Sequence, residues 1–472
     1  MTEISTEVLQ YITTKQAWHY DIIPFKKEGN SISFYCNKAQ NIDAIEEELE
    51  MLFTEDILFQ PIEEKELKQL LGKYYRQYEG NQNIAQELNF DQSFLDALIL
   101  EARHLGSSDI HIEPYEEKAR VRYRIDGALM EKYHIKKETY PSLVNKIKIR
   151  ANLDIAEKRL PQDGRIFYAN ANIQFDIRVS SMPTLYGEKI VMRLLNSGDT
   201  RIDIAALGFQ KIELDRYMEG VRRPNGIVLI SGPTGSGKTT TLYATLQVLN
   251  EQSRNIVTVE DPIEYTLEGI NQVQVRQSIG LDFASAIKTF LRQDPDIIML
   301  GEIRDLDTAT MAIRASLTGH LVLSTIHTNS AWGIIPRLID MGVPSYLLAD
   351  TMNLAVAQRL VRLLCPRCKR EVPLNQSDLP RYFKMKDTPK SQMVAQGCEH
   401  CHFTGYKGRS GIYEIVPIDE ELADAIRQQE LKVDHLLEKA SVRSLSDNAF
   451  QLFKEGKTSL KEVYPLLWKK AK

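Results

Sequence analysis

The chain has 472 residues, and 59 Lys and Arg face 64 Asp and Glu, so its formal net charge is −5. This length allows two or three domains with full cores, and the charge argues against a dedicated nucleic-acid-binding protein. Without a basic-then-apolar leader, and with apolar runs far shorter than the about 20 residues that span a bilayer, we expect a cytoplasmic protein that reaches a membrane only through partners.

Residues 1–80 predict a small opening domain. The stretch DIIPFKKEGNSISFYCN has two strand-like segments around a Gly-Asn turn, and NIDAIEEELEMLF has apolar residues at helical spacing. KELKQLLGKYYRQYEGNQN then predicts a helix that runs into a polar linker. Cys36 stands alone in the second strand-like segment, where we expect it to be buried.

Residues 90–200 predict a second, α+β domain. It opens with the helical pattern QSFLDALILEARHLG, and short strands follow at SDIHIEP, KARVRYRIDG, IQFDIRVSSMP and GEKIVMRLL. YPSLVNKIKIRANL reads as a helix between them. The mixture indicates an antiparallel sheet with helices packed on it, and residues 201–219 are expected to form a hinge to the next domain.

From residue 220 onward, buried strands alternate with helices. GIVLI, NIVTVE, DIIMLGE and HLVLSTIH are apolar, rich in β-branched residues and bounded by turn residues. This alternation is typical of a parallel sheet covered by helices. We therefore predict an α/β domain over 220–472, with a helical tail at 418–472.

The segment after the first of these strands predicts a phosphate-binding loop. GPTGSGKT, from Gly232 to Thr239, matches G-x-x-x-x-G-K-[ST], lies between a strand and a helix, and so predicts an NTPase rather than an ordinary glycine-rich turn. Lys238 would reach the β- and γ-phosphates, and the Thr239 hydroxyl would bind Mg²⁺. The expected nucleotide-binding residues are Gly232, Pro233, Thr234, Gly235, Ser236, Gly237, Lys238, Thr239 and Thr240.

The ends of three further strands supply candidate catalytic groups, because ligands gather at the carboxyl ends of parallel strands. Glu302 is the choice for orienting or deprotonating the attacking water, with a helix-capping acid as the alternative. Gly301 stands where the usual Walker B pattern has an Asp that serves Mg²⁺, so the metal would rely on Thr239 and water. The other candidates are Glu260, Asp261, Glu264, His320 and His327.

Three of these candidates carry alternatives of their own. Glu260 or Asp261 could support the Mg²⁺ indirectly. His327 could sense the γ-phosphate, or it could be a structural histidine bonded to a backbone carbonyl. The sequence leaves both choices open.

Four of the five cysteines form two C-x-x-C pairs, Cys365 with Cys368 and Cys398 with Cys401, 29 residues apart. Two such pairs complete a tetrahedral four-thiolate zinc site, which leaves no position open for water and is therefore structural. A redox C-x-x-C is the alternative, but such motifs are usually single and near a thioredoxin-like pattern. His400 and His402 flank the second pair as weaker ligand candidates.

Taken together, GPTGSGKTTTLYATL, VEDPIEY, QDPDIIMLGEIRD and TGHLVLSTIHTNSA resemble the secretion ATPase superfamily that powers type II secretion and type IV pilus assembly. SSDIHIEP, RYRIDG, RLPQDGRI, DIRVSSMP and GEKIVMRLL are similar to its second N-terminal domain. The resemblance covers about residues 95–470. It implies a RecA-like P-loop ATPase domain with a parallel sheet, preceded by a PAS-like α+β domain and a small N-terminal domain.

The resemblance further implies a homohexamer that binds ATP and Mg²⁺ and drives an inner-membrane platform protein. In the family's terms Glu260, Asp261 and Glu264 lie in the Asp box, and His320 and His327 lie in the His box. Arg178 and Arg193 match the family's nucleotide-reaching arginines, with a sheet-surface salt bridge as the alternative, and Arg165 is a weaker candidate. Residues 1–80 loosely resemble a domain that docks on a membrane-anchored partner.

The cysteine arm, expected over residues 362–412 and holding structural Zn²⁺, resembles assembly and secretion ATPases rather than pilus retraction ATPases. We therefore expect a motor that extends pilin or pseudopilin filaments, peripheral to the inner membrane. Two alternatives stay open at this stage. One is a DNA-uptake or conjugation-type translocation ATPase, which the net charge of −5 disfavours. The other is an ATP-binding scaffold without turnover.

Overall fold

The computed structural model describes residues 4–38, 42–50, 53, 55–75, 92–170, 173–195, 202–380, 383, 388–430 and 432–468. Their contacts divide them into two units. The first comprises the described residues up to 195, together with Cys365–Arg370 and Ala395–Lys407. The second comprises the remaining described residues from 202 onward. None of the helices in these ranges is long and apolar enough to cross a membrane.

The small N-terminal domain of the first unit is built on one sheet. As predicted, two strands flank a turn at Gly29, whose positive φ of 57° suits glycine. They pair antiparallel, and a third strand, which the sequence did not predict, joins parallel to the second. The elements are α1 Thr6–Leu9, α2 Thr14–His19, β1 Ile22–Glu28, β2 Ser31–Asn37, α3 Ile42–Glu50, β3 Asp56–Ile62 and α4 Glu64–Tyr74.

Cys36 is fully buried in β2, as expected. The polar linker predicted after α4 lies outside the described residues.

The second domain of the first unit is the predicted α+β domain. Within the described residues its sheet has six strands in the order β6-β5-β4-β9-β8-β7, all antiparallel. Alternate residues are buried, so one face packs against two helices and the other carries mostly charged side chains. The elements are α5 Gln92–His104, β4 Ser107–Pro114, β5 Lys118–Ile125, β6 Ala128–Lys136, α6 Tyr140–Arg150, β7 Gln162–Ala169, β8 Gln174–Thr184 and β9 Gly187–Leu195.

The second unit is built on the predicted parallel sheet, whose order is β12-β11-β13-β14-β10-β15-β18 among the described residues. The strands from β12 through β15 in that order run parallel. Every residue of the central strands is buried because helices cover both faces. The strands are β10 Gly226–Ser231, β11 Ile256–Glu260, β12 Asn271–Gln274, β13 Ile297–Leu300, β14 Leu321–Ile326, β15 Met352–Leu364, β16 Arg370–Pro373, β17 Ser391–Val394 and β18 Tyr406–Pro417.

The helices of this second unit cover the sheet and form the predicted helical tail. They are α7 Lys211–Val221, α8 Lys238–Leu249, α9 Phe283–Phe290, α10 Leu306–Leu317, α11 Ile334–Asp340, α12 Ser345–Thr351, α13 Glu420–Arg427, α14 Asp434–Lys439, α15 Leu445–Lys454 and α16 Leu460–Leu467. β16 and β17 form a separate two-stranded sheet.

Two domain boundaries differ from the sequence-based expectation. The segment predicted as a hinge, 201–219, contains most of α7, and the described residues of this segment belong to the second unit. In α7, Tyr217 is fully buried and its hydroxyl is 2.7 Å from that of Thr245. The cysteine-bearing segments, expected within the ATPase domain, group with the first unit through their contacts. Residue spacing marks strands and turns well, but it does not show which unit a short segment packs against.

Candidate nucleotide site and metal centre

The phosphate-binding loop joins the end of β10 to the start of α8. Gly235 and Gly237 have positive φ values of 78° and 85°, which side chains with a Cβ rarely adopt, so the loop can fold back on itself. Gly237 is the N-cap of α8, so the free N–H groups of that helix and its positive dipole end face the loop. The loop therefore has the geometry of an anion cradle.

Lys238 places its ammonium inside this cradle. Its Nζ donates to the carbonyl oxygens of Gly232 at 2.8 Å and Pro233 at 3.1 Å. Burial lowers the pKa of Lys238, although the nearby charge of Glu302 acts in the opposite direction. A phosphate group would replace weak carbonyl contacts with full charge pairing at this position.

Glu302 lies just after β13, at the same edge of the sheet. Its side chain is 17% exposed, accepts a hydrogen bond from Arg304, and has one oxygen 3.4 Å from Nε2 of His327. Burial alone would raise the pKa of Glu302, but Arg304, helped by His327, outweighs it and holds the pKa below its usual value. The carboxylate is therefore ionised at neutral pH, as a group that orients or deprotonates water must be.

The helix-capping alternative for Glu302 does not apply. The cap of α10 is Asp305, whose side chain accepts from the backbone N–H of Thr308 at 2.8 Å. His327 contacts the carboxylate of Glu302, and the choice between a γ-phosphate sensor and a structural histidine stays a prediction. Glu302 and His327 are thus brought together at the loop's edge of the sheet.

Glu260 occupies a different setting from Glu302. It ends β11, is 3% exposed, and accepts hydrogen bonds from Tyr243, from Thr258 at 2.6 Å and from Gln272 at 3.0 Å. Burial and the bond to Glu260 raise the pKa of Tyr243. Both oxygens of Glu260 are therefore engaged within the protein, in a network that fixes the end of β11.

The remaining strand-end candidates are dispersed. Asp261 is exposed, and its charge acts on Arg304. The backbone N–H of Glu264 donates to Tyr243 at 3.3 Å. His320 precedes β14 and bonds to the carbonyl of Ala315 at 2.8 Å.

The parallel register places His320 at the far edge of the sheet. Leu321 pairs with Gly226 and Ile326 with Ser231, so β14 begins where β10 begins. The strand length separates His320 from the loop's edge by about 20 Å. The structure does not bring His320 to the phosphate-binding loop.

Two residues of β15, Gln358 and Arg359, line the loop and were missed from the sequence. Gln358 is buried and accepts from Thr241 at 3.0 Å. A Cβ on Gly232 would come within 2.5 Å of the Gln358 carbonyl, and one on Gly237 within 2.9 Å of its Nε2. The signal for them was a polar pair inside the apolar run NLAVAQRLVRLL.

Arg359 adds a second positive charge near the loop. Its guanidinium donates to the carbonyl of Gln358 at 2.8 Å and of Asn329 at 3.1 Å, and its charge contributes to the lowered pKa of Lys238. Burial lowers the pKa of Arg359 as well, and a bound polyanion would compensate both positive charges.

The predicted arginines lie in the α+β domain of the first unit, in one row across the sheet. Arg165 is opposite Arg178, and Arg178 is opposite Arg193. Arg193 is in turn opposite Asp109, which it contacts at 2.9 Å. The salt-bridge alternative given for Arg178 and Arg193 is thus present at Arg193, and Arg165 also forms an ion pair, with Asp176.

Adjacent like charges destabilise a sheet unless something neutral or anionic separates them. Within the sheet, Asp109 paired with Arg193 and Asp176 paired with Arg165 offset part of this repulsion. Action of Arg178 and Arg193 on a nucleotide stays a prediction.

The four predicted cysteines form one cluster whose sulfur atoms all lie within 4.8 Å of one another. Cys365 and Cys398 have their sulfurs 3.8 Å apart, and Cys368 and Cys401 have theirs 3.7 Å apart. Zinc–sulfur bonds of about 2.3 Å in a tetrahedron require sulfur–sulfur distances of about 3.8 Å. The spacing fits Zn²⁺, and it is far longer than a disulfide bond.

Backbone N–H groups support the thiolates of this cluster. Gly397 donates to the sulfur of Cys368 at 3.3 Å, and Cys398 and Gly405 donate to that of Cys401 at 3.2 Å each. Such donors stabilise sulfur in its charged form, which is the form that binds metal. The cluster of possible ligands in the described residues includes neither His400 nor His402.

A glycine-rich loop at the carboxyl edge of a parallel sheet, with an ionised glutamate beside its lysine, defines a P-loop nucleoside triphosphatase. The family model described as "Type II/IV secretion system protein" matches residues 85–465, and the chain belongs to that family. It is an ATPase of the group that serves type II secretion and type IV pilus assembly.

Its relatives come from both kinds of machine. It is 45% identical over 372 residues to the type II secretion system ATPase E of Vibrio cholerae, covering 78% of this chain and 74% of that protein. It is 38% identical over 484 residues to the type IV pilus assembly ATPase PilB of Acinetobacter baylyi, covering 96% and 83%. The Legionella pneumophila ATPase DotB shares the fold, with a TM-score of 0.62 at 21% identity over 81% of this chain and 97% of that one.

Proposed function

We propose that this chain is the cytoplasmic motor of a filament-assembly machine, working as a homohexamer at the inner membrane. It would hydrolyse ATP to add pilin or pseudopilin subunits, in type II secretion or type IV pilus assembly. The observation that carries the proposal is the convergence of Lys238, Glu302 and His327 at one edge of the sheet. The assignment to a secretion or pilus machine rests on the names of the similar ATPases, which serve type II secretion and type IV pilus assembly.

The chemistry of the site follows from its charges. ATP would lie with its phosphates on the loop from Gly232 to Thr239, neutralised by Lys238 and Arg359. Mg²⁺, held through Thr239, would offset charge on the phosphate oxygens. Glu302, already ionised, would accept the proton of the attacking water or orient it, and His327 would register the γ-phosphate through its contact with Glu302.

Motion would come from the arginine row. With ATP bound, Arg178 and Arg193 would close on the nucleotide and draw the α+β domain toward it, and hydrolysis would release them. Asp109, which now contacts Arg193, would be the competing partner. If Arg178→Ala and Arg193→Ala each left turnover in the assembled ring unchanged, this clamp would be wrong.

The cysteine cluster would bind one structural Zn²⁺, because four thiolates leave no open position for water. Its presence favours an assembly motor over a retraction motor. The N-terminal domain would dock on a membrane-anchored partner, and an inner-membrane platform protein would receive the motion. No nucleic-acid partner is expected.

The test is Glu302→Gln in the native host, with the exposed Glu268→Gln as the matched control. Surface filaments would be counted by electron microscopy, and secreted proteins assayed in the same cultures. Loss of filaments identifies a pilus motor, and intact filaments with secretion substrates trapped in the periplasm identify a secretion motor. If neither changes, the filament-extension proposal is refuted. Normal assembly alongside abolished hydrolysis in the purified variant would instead identify a scaffold.

A further inference from the structure

A cavity of about 280 Å³ opens in the α+β domain of the first unit. It lies among the end of β4, the start of β5 and of α6, and the turn between β8 and β9. Three lysines line it, Lys118, Lys137 and Lys158, together with three tyrosines, Tyr115, Tyr140 and Tyr186.

Glu188 also lines this cavity, but its carboxylate is paired with the buried Lys148 at 2.7 Å, so the three lysines leave an excess of positive charge. Lys118 forms an ion pair with Glu7 at 2.8 Å, but the Glu7 side chain is 62% exposed and that of Lys118 is 39% exposed, so solvent weakens the pair. Lys137 and Lys158 are exposed, and no carboxylate in the described part of the chain pairs with either. Three ammonium groups around one cavity repel one another, and an anion would relieve this repulsion.

The tyrosines make the remaining wall aromatic and partly rigid. The hydroxyl of Tyr140 donates to the carbonyl of Glu188 at 2.5 Å, which fixes this buried ring in place. Tyr115 and Tyr186 are each 43% exposed and present ring surface at the rim. The guanidinium of Arg120 lies 5.0 Å from the centre of the Tyr115 ring and steadies it.

We propose that this cavity binds a phosphate monoester that carries an aromatic ring, the chemistry of a nucleoside monophosphate. Lysine ammonium groups recognise phosphate as point charges, and tyrosine rings stack on planar bases. The volume of about 280 Å³ lies just below the range of about 300–1,000 Å³ for small-molecule sites, which favours a small ligand over a dinucleotide. The proposal adds a second ligand site and does not depend on the proposed motor function.

Binding is measured by equilibrium dialysis with AMP as the probe, on the full chain carrying Lys238→Ala to remove phosphate affinity at the loop. We expect one saturable site per chain. In that background, Lys137→Ala with Lys158→Ala should weaken AMP binding at least about tenfold. The matched control is Lys136→Ala with Arg159→Ala, which removes two exposed neighbouring cations and should leave the affinity within twofold.

Adenosine tests the contribution of the nucleoside, and inorganic phosphate tests that of the phosphate group. Each should bind at least tenfold more weakly than AMP. Tyr186→Ala should weaken AMP binding several-fold, whereas Tyr186→Phe should not. Equal losses in the control pair, phosphate binding as tight as AMP binding, or no saturable AMP binding would each overturn the proposal. In the otherwise native chain, the Lys137→Ala and Lys158→Ala pair should hydrolyse ATP at the native rate, and a loss of turnover would overturn the separation of the two sites.

Discussion

Gly237→Ala tests whether the shape of the phosphate-binding loop sets nucleotide affinity. Gly237 has φ +85° and ψ 16°, and a residue with a Cβ in this left-handed region pays about 1–2 kcal/mol. The added Cβ would also lie 2.9 Å from Nε2 of Gln358, so that amide must shift and weaken its bond to Thr241, at about 0.5–1.5 kcal/mol. The sum of about 1.5–3.5 kcal/mol corresponds to an affinity loss of about 10- to 300-fold.

The affinity is lost because the variant loop relaxes when empty and must be forced back into shape by the nucleotide. Gly235→Ala is the matched control, since Gly235 has φ +78° but no heavy atom within 4 Å of an added Cβ. It should lose only about 5- to 30-fold from the backbone cost. Titration of both variants with a fluorescent ADP analogue gives the comparison. Equal losses in the two variants, or native affinity in Gly237→Ala, would refute the reasoning.

Two further predictions concern the glutamate and the cysteines. Arg304→Ala should raise the pKa of Glu302 and move the acid limb of the pH–rate profile to higher pH, because burial is then less opposed. At neutral pH the Arg304→Ala variant should melt at a lower temperature than the native chain. This difference should shrink as the pH falls through the lowered pKa of Glu302 in the native chain, because protonation of Glu302 breaks its ion pair with Arg304. Cys398→Ser should abolish the one equivalent of bound zinc, measured by mass spectrometry of the metal, and lower thermal stability, whereas Cys36→Ser should keep the zinc. A stable native chain without metal would contradict the zinc assignment.

Local patterns in the sequence were enough for the elements and for the contiguous parts of the site. The loop from Gly232 to Thr239 and the two cysteine pairs are short motifs, so spacing alone predicted them. The strands of the parallel sheet were found because buried strands are continuous apolar runs between turn residues. The position of Glu302 followed from its place at the end of such a strand.

What the sequence could not give depends on register and on contacts between distant segments. His320 and His327 look alike as neighbours of one strand, but strand direction places only His327 at the loop's edge. Gln358 lies far along the chain from the loop and packs against it through the pairing of β15 with β10. The row of Arg165, Arg178 and Arg193 likewise appears only once three strands are aligned.

The setting of Glu260 could not be predicted from the sequence either, for an energetic reason. An acidic residue at a strand end predicts a catalytic or metal-binding group, but burial requires its charge to be satisfied by hydrogen bonds. Tyr243 and Gln272, from a helix and another strand, supply them. Only the folded chain shows that these donors are there.

The most direct test of the central claim is single-turnover ATP hydrolysis by purified Glu302→Gln, measured beside its nucleotide affinity. If the chain is an ATPase whose water is handled by Glu302, the affinity should stay within about twofold, because Lys238 and the loop are untouched. Hydrolysis should then fall by about 100- to 10,000-fold, the usual contribution of a general base. Native hydrolysis rates in this variant would contradict the account, since they would show that the attacking water does not depend on the Glu302 carboxylate.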